Sequence, residues 1–470
     1  AYESAGALAF GTKTAGQVSL SAGTPVASGT IQVLAQTGIQ TLRSTLIAGG
    51  KGNDSVYLGD QISTFDKVSV RGGEGDDVLG TYNSGANTAG DIAQFTGGEI
   101  KGGAGNDTVF VTLSATSATD FKIVGNAGTD SVAYSGASHE TNSGFIGGGV
   151  GNDSVHFNVV TATYTTINGG DGNDTLNLSI STVTNNSIID AGTGVDTVNL
   201  TLGTVSSTSV YGGEGNDSIV LSGLTDNGSN LFDAGAGVDT VFFQSAEVDT
   251  ISGSTVLAGA GNDSITFQAM SAGALQSGFF AGGAGNDSIF IDATQAAGSA
   301  GVVASTIKGG AGADSITVSA IGSTDGSATF AYTTWKQSTL GSMDTLTFNT
   351  AAVSADANAG FGSSQVLVDV SMGLTTGVSG AGAVGQVSAS GGFVVWSGYS
   401  DNSLTARVSA INAGYTTTGD YAVFTTDNTT RYLFVQGGTN DIVARLSDDD
   451  QLSAGLGSII RSGKTIGFSS

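Results

Sequence analysis

The sequence lacks several features on which common protein classes depend. Its 470 residues include no cysteine, one proline and only 14 lysine and arginine residues. Without cysteine, the chain can form neither disulfides nor thiolate metal sites. No stretch approaches the roughly 20 apolar residues of a transmembrane helix, so we expect a protein that does not span a membrane.

The charge balance excludes two classes of partner. Against the 14 basic residues stand 40 acidic ones, which gives a net charge of −26. Such a surface repels nucleic acid and anionic membranes, so cations are its natural partners. The 76 glycines could suggest disorder, but a hydrophobic content of 39 % is enough for a core.

A glycine-rich loop that closes with aspartate recurs twelve times. The residue two positions before the closing aspartate is always glycine, and the residue two positions after it is always apolar. Successive loops are 21 to 30 residues apart. The closing aspartates are Asp54, Asp77, Asp107, Asp130, Asp153, Asp174, Asp196, Asp217, Asp239, Asp263, Asp287 and Asp314.

Apolar residues alternate on both sides of each loop. Ile167 precedes the loop closed by Asp174, for example, and Leu176 and Leu178 follow it. A period of two indicates strands with one inward face. Each unit is therefore predicted to consist of a strand, a loop, a second strand and a variable turn such as 181–186. Together these form one coil of a β-solenoid. Because one coil cannot bury its apolar face alone, the coils must stack on a shared core.

The loops resemble the nonapeptide repeat of the RTX family of calcium-binding β-rolls. The copies GGKGNDSVY, GGAGNDTVF, GGDGNDTLN and GGEGNDSIV carry the resemblance. It implies an all-β, right-handed parallel β-roll of about twelve coils, with Ca²⁺ between neighbouring loops. Backbone carbonyls and aspartate carboxylates would supply the oxygens, of which Ca²⁺ takes about six to eight, while glycine permits the positive φ that turns the carbonyls inward.

The predicted calcium ligands are the closing aspartates, joined in the well-matched loops by the glycines two and four positions earlier. Twelve loops leave at most eleven gaps, so up to about eleven ions are expected. Four degenerate loops lack asparagine before the aspartate, and we expect weak or no binding there. The predicted ligands are Gly50, Gly52, Asp54, Gly73, Gly75, Asp77, Gly103, Gly105, Asp107, Gly149, Gly151, Asp153, Gly170, Gly172, Asp174, Gly213, Gly215, Asp217, Gly259, Gly261, Asp263, Gly283, Gly285 and Asp287, and in the degenerate loops Asp130, Asp196, Asp239 and Asp314.

A different interpretation is that these loops are only turns that connect strands, as Asn, Asp and Gly commonly do. The two interpretations differ in their response to calcium. Stacked aspartates without a cation would repel one another, so calcium sites would make folding calcium-dependent.

One departure from RTX rolls concerns the spacing. In those rolls the nonapeptides follow one another directly, so both edges bind calcium. Here most motifs recur only every 21 to 24 residues, so one edge should bind calcium. The other edge is expected to be variable, uncharged and free to contact other molecules.

The ends lack the loop, which suggests three domains. Residues 1–48 are predicted to be an N-terminal cap or assembly arm, 49–353 the β-roll, and 354–470 a β-rich C-terminal domain for assembly, capping or secretion. Residues 343–353 repeat the strand motif without its glycine loop. Residues 429–460 resemble the ends of RTX-containing S-layer and other type I-secreted surface proteins.

Catalytic motifs are lacking. The sequence contains no H-E-x-x-H and no G-x-S-x-G motif. His139 is expected in a loop and His156 on the outer face of a strand, both with structural roles. We therefore predict that the chain is not an enzyme.

The function predicted from these features is that of a calcium-dependent extracellular structural protein. It would be a self-associating subunit of an S-layer-like lattice, sheath or filament, with calcium as the folding and assembly switch after type I secretion. Cell-surface polysaccharide is a further candidate partner. Two alternatives stay open: a virion structural protein such as a fibre or capsid decoration, and the non-catalytic adhesin or secretion portion of an RTX exoprotein.

Overall fold

The computed structural model divides into two compact units, Ala1–Thr225 with Ser229–Gly235, and Asp226–Gly228 with Ala236–Ser470. Each is built on a parallel β-solenoid, which confirms the predicted fold class, whereas the predicted boundaries at 48 and 353 stay a prediction. The residues that the structure describes are 6–10, 30–35, 41–58, 64–81, 92–244, 251–268, 275–292, 302–303, 305–319, 327–332, 343–349, 365–370, 381–382, 387–390, 393–396, 403–414, 421–425, 431–435, 442–448, 458–462 and 465–469.

Two parallel sheets make up the first unit. The entry strands, which lead into a loop, are Leu46–Lys51, Ser69–Glu74, Glu99–Ala104, Lys122–Ala127, Phe145–Val150, Thr166–Asp171, Ile188–Thr193, Ser209–Glu214 and Leu231–Ala236. The exit strands, which follow a loop, are Ser55–Leu58, Val78–Thr81, Thr108–Thr119, Ser131–Asn142, Ser154–Thr163, Thr175–Thr184, Thr197–Val205 and Ser218–Ser222. Shorter or flanking strands are Gly6–Phe10, Thr30–Ala35, Thr41–Arg43, Thr64–Asp66, Ile92–Thr96 and Thr225–Asp226.

Equivalent residues of neighbouring coils lie side by side. Leu176, for example, pairs with Val155 on one side and Val198 on the other. In the coil of Asp130, the extra residues lie in the exit strand, where the register shifts between Gly136 and Glu140. His139 lies in this irregular part of a strand and not in the predicted loop, because the strand continues through the shift.

The interior is formed by the alternating apolar residues, as the period of two predicts. The residues seven positions before and two positions after the closing aspartate are at most 2 % exposed in all twelve coils. An aromatic ladder extends the core of the first unit, with ring centroids 5.2 to 6.5 Å apart. It consists of Phe65, Phe95, Phe121, Tyr134 and Phe157.

The edge opposite the loops is more regular than predicted. The strand Thr175–Thr184 runs through most of the expected turn 181–186, and the left-handed Asn185 and Asn186 make the bend. The residue ten positions before the closing aspartate has φ between +46° and +67° wherever the structure describes it. The expectation of an uncharged edge is wrong for the first coils, where Arg43 pairs with Asp66 at 3.1 Å.

The second unit repeats the solenoid and ends in antiparallel strands. Its entry side consists of Thr255–Ala260, Phe279–Ala284, Ser305–Ala311, Ser327–Tyr332, Gln365–Val370, Thr465–Ser469 and Ser458–Ser462. Its exit side consists of Thr240–Gln244, Ser264–Gln268, Ser288–Asp292, Ser315–Ser319, Asp344–Asn349, Ile442–Asp448, Arg431–Val435, Tyr421–Thr425, Phe393–Trp396, Val387–Ser390 and Ala381–Gly382. A third, small sheet contains Ile251–Ser252, Leu275–Gln276 and Val302–Val303.

The C-terminal strands cover the open edges of the last coils. Ile442–Asp448 adds in parallel to Asp344–Asn349, and antiparallel strands then continue the sheet. On the entry side, Thr465–Ser469 pairs antiparallel with Gln365–Val370. A covered edge cannot pair with a strand of another chain, which protects a stack of this kind from uncontrolled growth.

One helix, Leu404–Gly414, interrupts the β-rich C-terminal region. Ser403 caps it, because its hydroxyl accepts the backbone N–H of Ala406 at 3.3 Å. Val408 and Ile411 pack the helix against buried side chains of the antiparallel strands. Among the described residues, no helix is long and apolar enough to cross a membrane.

The buried apolar residues that repeat from coil to coil, here called the core columns, lead to a stability prediction. Leu176 is fully buried, so Leu176→Ala should lower the free energy of unfolding of the calcium-loaded protein by about 2–5 kcal/mol. Ser179→Ala, on the exposed face of the same strand, is the matched control and should change it by less than about 0.5 kcal/mol. Denaturant titration followed by circular dichroism measures both, and equal effects would contradict the assigned strand faces.

Candidate metal centre

The loops adopt a backbone that glycine permits and most other residues do not. In each loop the glycines four and two positions before the closing aspartate, here called the second and third loop glycines, have φ between +97° and +151°. The one exception is Asn126, which takes the place of a second glycine at φ +90°. Asparagine tolerates positive φ better than most residues, so this substitution preserves the loop.

Glycine is also required because neighbouring loops approach closely. A Cβ atom on the second glycine Gly170 would collide with the carbonyl oxygen of Gly149 in the preceding coil. The third glycines show the same relation, as between Gly172 and the oxygen of Gly151. The carbonyls of one loop thus face the next loop across a space that any side chain would fill.

The closing aspartates turn inward and form a ladder along the stack. Each is at most 4 % exposed. The backbone N–H of one aspartate donates to Oδ1 of the aspartate in the next coil, over 2.6 to 3.0 Å, as from Asp153 to Asp174. This bond recurs through each unit, so one oxygen of each accepting carboxylate is committed to the fold.

The second carboxylate oxygen is buried without a hydrogen bond in nine of these aspartates. They are Asp77, Asp107, Asp130, Asp153, Asp174, Asp196, Asp263, Asp287 and Asp314. Residues 123–307 contain no Lys or Arg at all, so that stretch supplies no basic side chain to its own carboxylates. A buried carboxylate oxygen that lacks a partner is costly, because it loses hydration without replacement.

Burial raises the pKa of these carboxyl groups. Desolvation is the largest cause, and the backbone hydrogen bond opposes it without cancelling it. The pKa rises to about 6 for Asp77, Asp130, Asp196 and Asp314. It rises to about 7 for Asp107, Asp174 and Asp287, where neighbouring aspartates add to the rise.

These features fit a hard cation such as Ca²⁺. Nine closing aspartates offer a buried carboxylate oxygen without a hydrogen bond. Backbone carbonyls lie close by, since Oδ2 of Asp153 and the carbonyl oxygen of Gly169 are both within 2.6 Å of where a Cβ atom of Gly148 would be. Oxygen is the ligand that Ca²⁺ takes. In the described part of the chain, no three acidic or histidine side chains gather into a cluster. Backbone carbonyls would therefore have to complete the shell, and a bound ion would supply the counter-charge that the carboxylates need.

The structure brings the predicted ligands together coil by coil. The second and third glycines and the closing aspartate of each well-matched loop lie at one edge, in register with those of the neighbouring coils. Their role as calcium ligands stays a prediction. His156 is exposed, as expected, and its ring contacts the Ser154 hydroxyl at 3.3 Å.

The four degenerate loops share this geometry. Their aspartates are as buried as the others, and all their second and third glycines have positive φ. These glycines are not among the predicted ligands, but their backbone conformation is equivalent to that of the predicted ones. They are Gly128, Gly192, Gly194, Gly235, Gly237, Gly310 and Gly312.

The asparagine that the degenerate loops lack has a separate role. Its side-chain oxygen accepts the backbone N–H of the equivalent residue in the next coil, as from Asn173 to Asn152 at 2.8 Å. The same bond forms to Val195 in a degenerate loop. In this exposed ladder each side chain accepts from the following coil, whereas each aspartate of the buried ladder accepts from the preceding coil. The asparagine therefore joins neighbouring loops on the outside and does not face the buried carboxylate.

Asp344 is a member of the aspartate ladder that sequence reasoning missed. It is fully buried and accepts the backbone N–H of Asp314 at 3.0 Å. The signal was present, because the D-x-U-x-U strand motif begins at Asp344 as it does at eleven of the twelve closing aspartates. Because no glycine loop precedes it, Asp344 is not among the twelve closing aspartates of the sequence pattern.

Comparison with protein families agrees with this geometry. The model of the RTX calcium-binding nonapeptide repeat, which describes four copies, matches residues 44–64, 99–111, 166–179, 208–223 and 304–320. The chain carries RTX calcium-binding nonapeptide repeats. The matched segments each include a glycine loop and its closing aspartate, and RTX repeats are typical of secreted proteins.

Among solved structures, five chains match. One is the X-ray crystal structure of a hyperactive, Ca²⁺-dependent, β-helical antifreeze protein from an Antarctic bacterium. It is 22 % identical, with a TM-score of 0.39, and the match covers 66 % of this chain and 86 % of that one. No curated protein matches the sequence.

The raised pKa values predict an unusual pH dependence without calcium. The folded-state pKa values of about 6 to 7 lie above the ordinary value of 3.8, so between these limits the folded state binds more protons than the unfolded state. The stability of the calcium-free fold should therefore fall as pH rises through this window. Chelator-treated protein should melt at a higher temperature near pH 5 than near pH 8, as followed by circular dichroism.

Calcium should reverse that order, because it binds the deprotonated carboxylates that protons otherwise occupy. The same melting experiment with saturating calcium is the control. Calcium-free protein that is more stable at about pH 8 than at about pH 5 would contradict the buried, partnerless state of the carboxylates.

A matched pair of substitutions tests the ligands directly. Asp174→Asn keeps the shape and the Oδ1 acceptor but removes the buried charge, so the calcium midpoint of folding should rise by at least about tenfold. Asp171→Asn, in the same loop, removes an exposed carboxylate that accepts only a Thr193 hydroxyl at 3.2 Å. Its midpoint should stay close to that of the wild type, and equal shifts would show that the buried position has no special role.

Proposed function

We propose that this chain is a calcium-dependent, non-catalytic structural protein that works outside the cell. The observation that carries the proposal is the ladder of buried aspartates, nine of which have a carboxylate oxygen without a hydrogen bond. RTX repeats bind calcium and are typically structural. The closing aspartates and the second and third loop glycines are proposed as the ligands of up to about eleven ions.

Calcium would act as the folding switch. Without the ion, each coil adds a buried carboxylate beside those of its neighbours, and the raised pKa values express that cost. With the ion, the same carboxylates join neighbouring coils through a shared cation, so folding and binding become one equilibrium. A chain that folds only where calcium is abundant would stay unfolded in a low-calcium compartment and become rigid outside it.

The proposed role of the folded chain is subunit of a self-associating lattice, sheath or filament of the S-layer kind. The support is the fold itself, because a repetitive solenoid presents large regular surfaces. The three-part organisation, with an N-terminal cap or arm before residue 49 and a C-terminal region after 353, belongs to this proposal. A virion fibre and the adhesin portion of an exoprotein are the alternatives that the test below separates from it.

Calcium titration of chelator-treated protein tests this function. Far-UV circular dichroism and light scattering are followed together, with Mg²⁺ as the control cation because it prefers a smaller, octahedral site. The expected result is that β-structure and large assemblies both appear with calcium and vanish with chelator. If β-structure appears without assembly, the solenoid is stabilised by calcium and the chain is a fibre or adhesin instead of a lattice subunit. If neither signal responds to calcium, calcium is not the folding switch.

A further inference from the structure

We propose that the outer face of the exit sheet in the first unit is a contact surface for a second copy of this chain. The face is formed by the five long exit strands Thr108–Thr119, Ser131–Asn142, Ser154–Thr163, Thr175–Thr184 and Thr197–Val205. The inference rests on the proposed assembly function and names the surface that would perform it.

The first argument is charge. On these five strands, Glu140 is the one Asp, Glu, Lys or Arg among all the residues. The outward residues that the structure describes are otherwise hydroxyl, amide, small or apolar side chains, with His156 among them. Outward apolar groups include Phe110 and Val160, the latter 37 % exposed. For a chain with a net charge of −26, such a large uncharged surface is a marked exception.

The other surfaces of the same unit are charged. The outer face of the entry sheet displays Arg71, Glu99 and Lys101 in an ion-pair cluster, and Asp190 and Asp233 further along. The loop edge displays further carboxylates, such as Glu74 and Glu214. Because two copies of a strongly acidic protein repel each other, the surface with the fewest carboxylates is where they approach at the lowest electrostatic cost.

The second argument is that the polar groups of this face bond to one another. Asn199 donates to Asn177 at 2.9 Å, and hydroxyl pairs such as Thr112 with Ser135 lie 3.3 Å apart along the stack. A surface whose polar groups already have partners in its own plane loses less when water is removed. Burial against a second sheet is therefore compatible with this composition.

The third argument is size. Five strands at about 4.8 Å spacing span roughly 24 Å, and about nine residues at roughly 3.3 Å each span about 30 Å, which gives about 700 Å². A stable interface buries about 800 Å² on each partner. Two such faces can pack at about 10 Å as stacked sheets do, with the same surface on both copies in a two-fold arrangement.

Matched pairs of charge substitutions on the full chain test the face. Ser179→Glu with Thr201→Glu puts two carboxylates on the outward side of two of these five strands, in the coils of Asp174 and Asp196. Thr166→Glu with Ile188→Glu is the control and puts two carboxylates on entry strands of the same two coils. Sedimentation velocity in saturating calcium measures association, and circular dichroism during calcium titration confirms folding of each variant.

The expected result is that wild type and the entry-strand control associate alike, while the exit-strand variant associates about tenfold more weakly or not at all. Raising the ionic strength should strengthen association of the wild type, because salt screens the repulsion between acidic copies. Equal association of both double variants, or equal loss in both, would overturn the assignment of the face.

Two further outcomes are decisive. Wild-type protein that folds in calcium but stays monomeric would overturn the proposal. If the wild type binds a neutral polysaccharide and only the exit-strand variant loses that binding, the face is a saccharide-binding surface instead. The calcium proposal fails separately, if circular dichroism shows no calcium response. In that case exit-strand variants that still lose association would leave the contact surface standing.

Discussion

A carboxylate taken out of water needs a counter-charge or a proton, and this chain buries one in every coil of its loop-bearing solenoid. Most closing aspartates, such as Asp174 and Asp196, accept a backbone N–H of the preceding coil at one carboxylate oxygen, so they cannot turn outward without breaking the connection between coils. The other oxygen is buried beside a row of loop carbonyls. Nearly every other property of the loop edge follows from that arrangement, including its raised pKa values and its suitability for a divalent cation.

Glycine and asparagine have different structural roles in the loops. The second and third loop glycines leave room for the carbonyls of the preceding coil and adopt the positive φ that aims those carbonyls at the gap. The asparagine before the aspartate works on the outside, where its amide oxygen holds the next loop in register. Because these roles are separable, a loop such as that of Asp196 can lose the asparagine and keep the geometry around its carboxylate.

Charge is distributed unevenly over the surfaces of the first unit. Acidic groups are concentrated at the loops, where cations can neutralise them, while the long exit strands present hydroxyls and amides that bond along the stack. A chain that folds when calcium binds also lowers its net negative charge in the same step. Folding and self-association would then be coupled through electrostatics alone, without a separate switch.

The sequence by itself determined the strands, the core columns and the positions of twelve loops, because residues such as Ile167 and Leu176 repeat at fixed distances from each closing aspartate. Local spacing is enough for this, since in a parallel stack every coil pairs with its equivalent. Only the tertiary structure decided what depends on contacts between coils. It showed that Asp344 continues the ladder without a glycine loop, that the degenerate loops keep their shape, and that the opposite edge bends at a left-handed residue such as Asn186. Those properties arise from backbone atoms of one coil meeting those of the next, so a pattern within one coil, such as the strand motif at Asp344, can indicate them but cannot establish them.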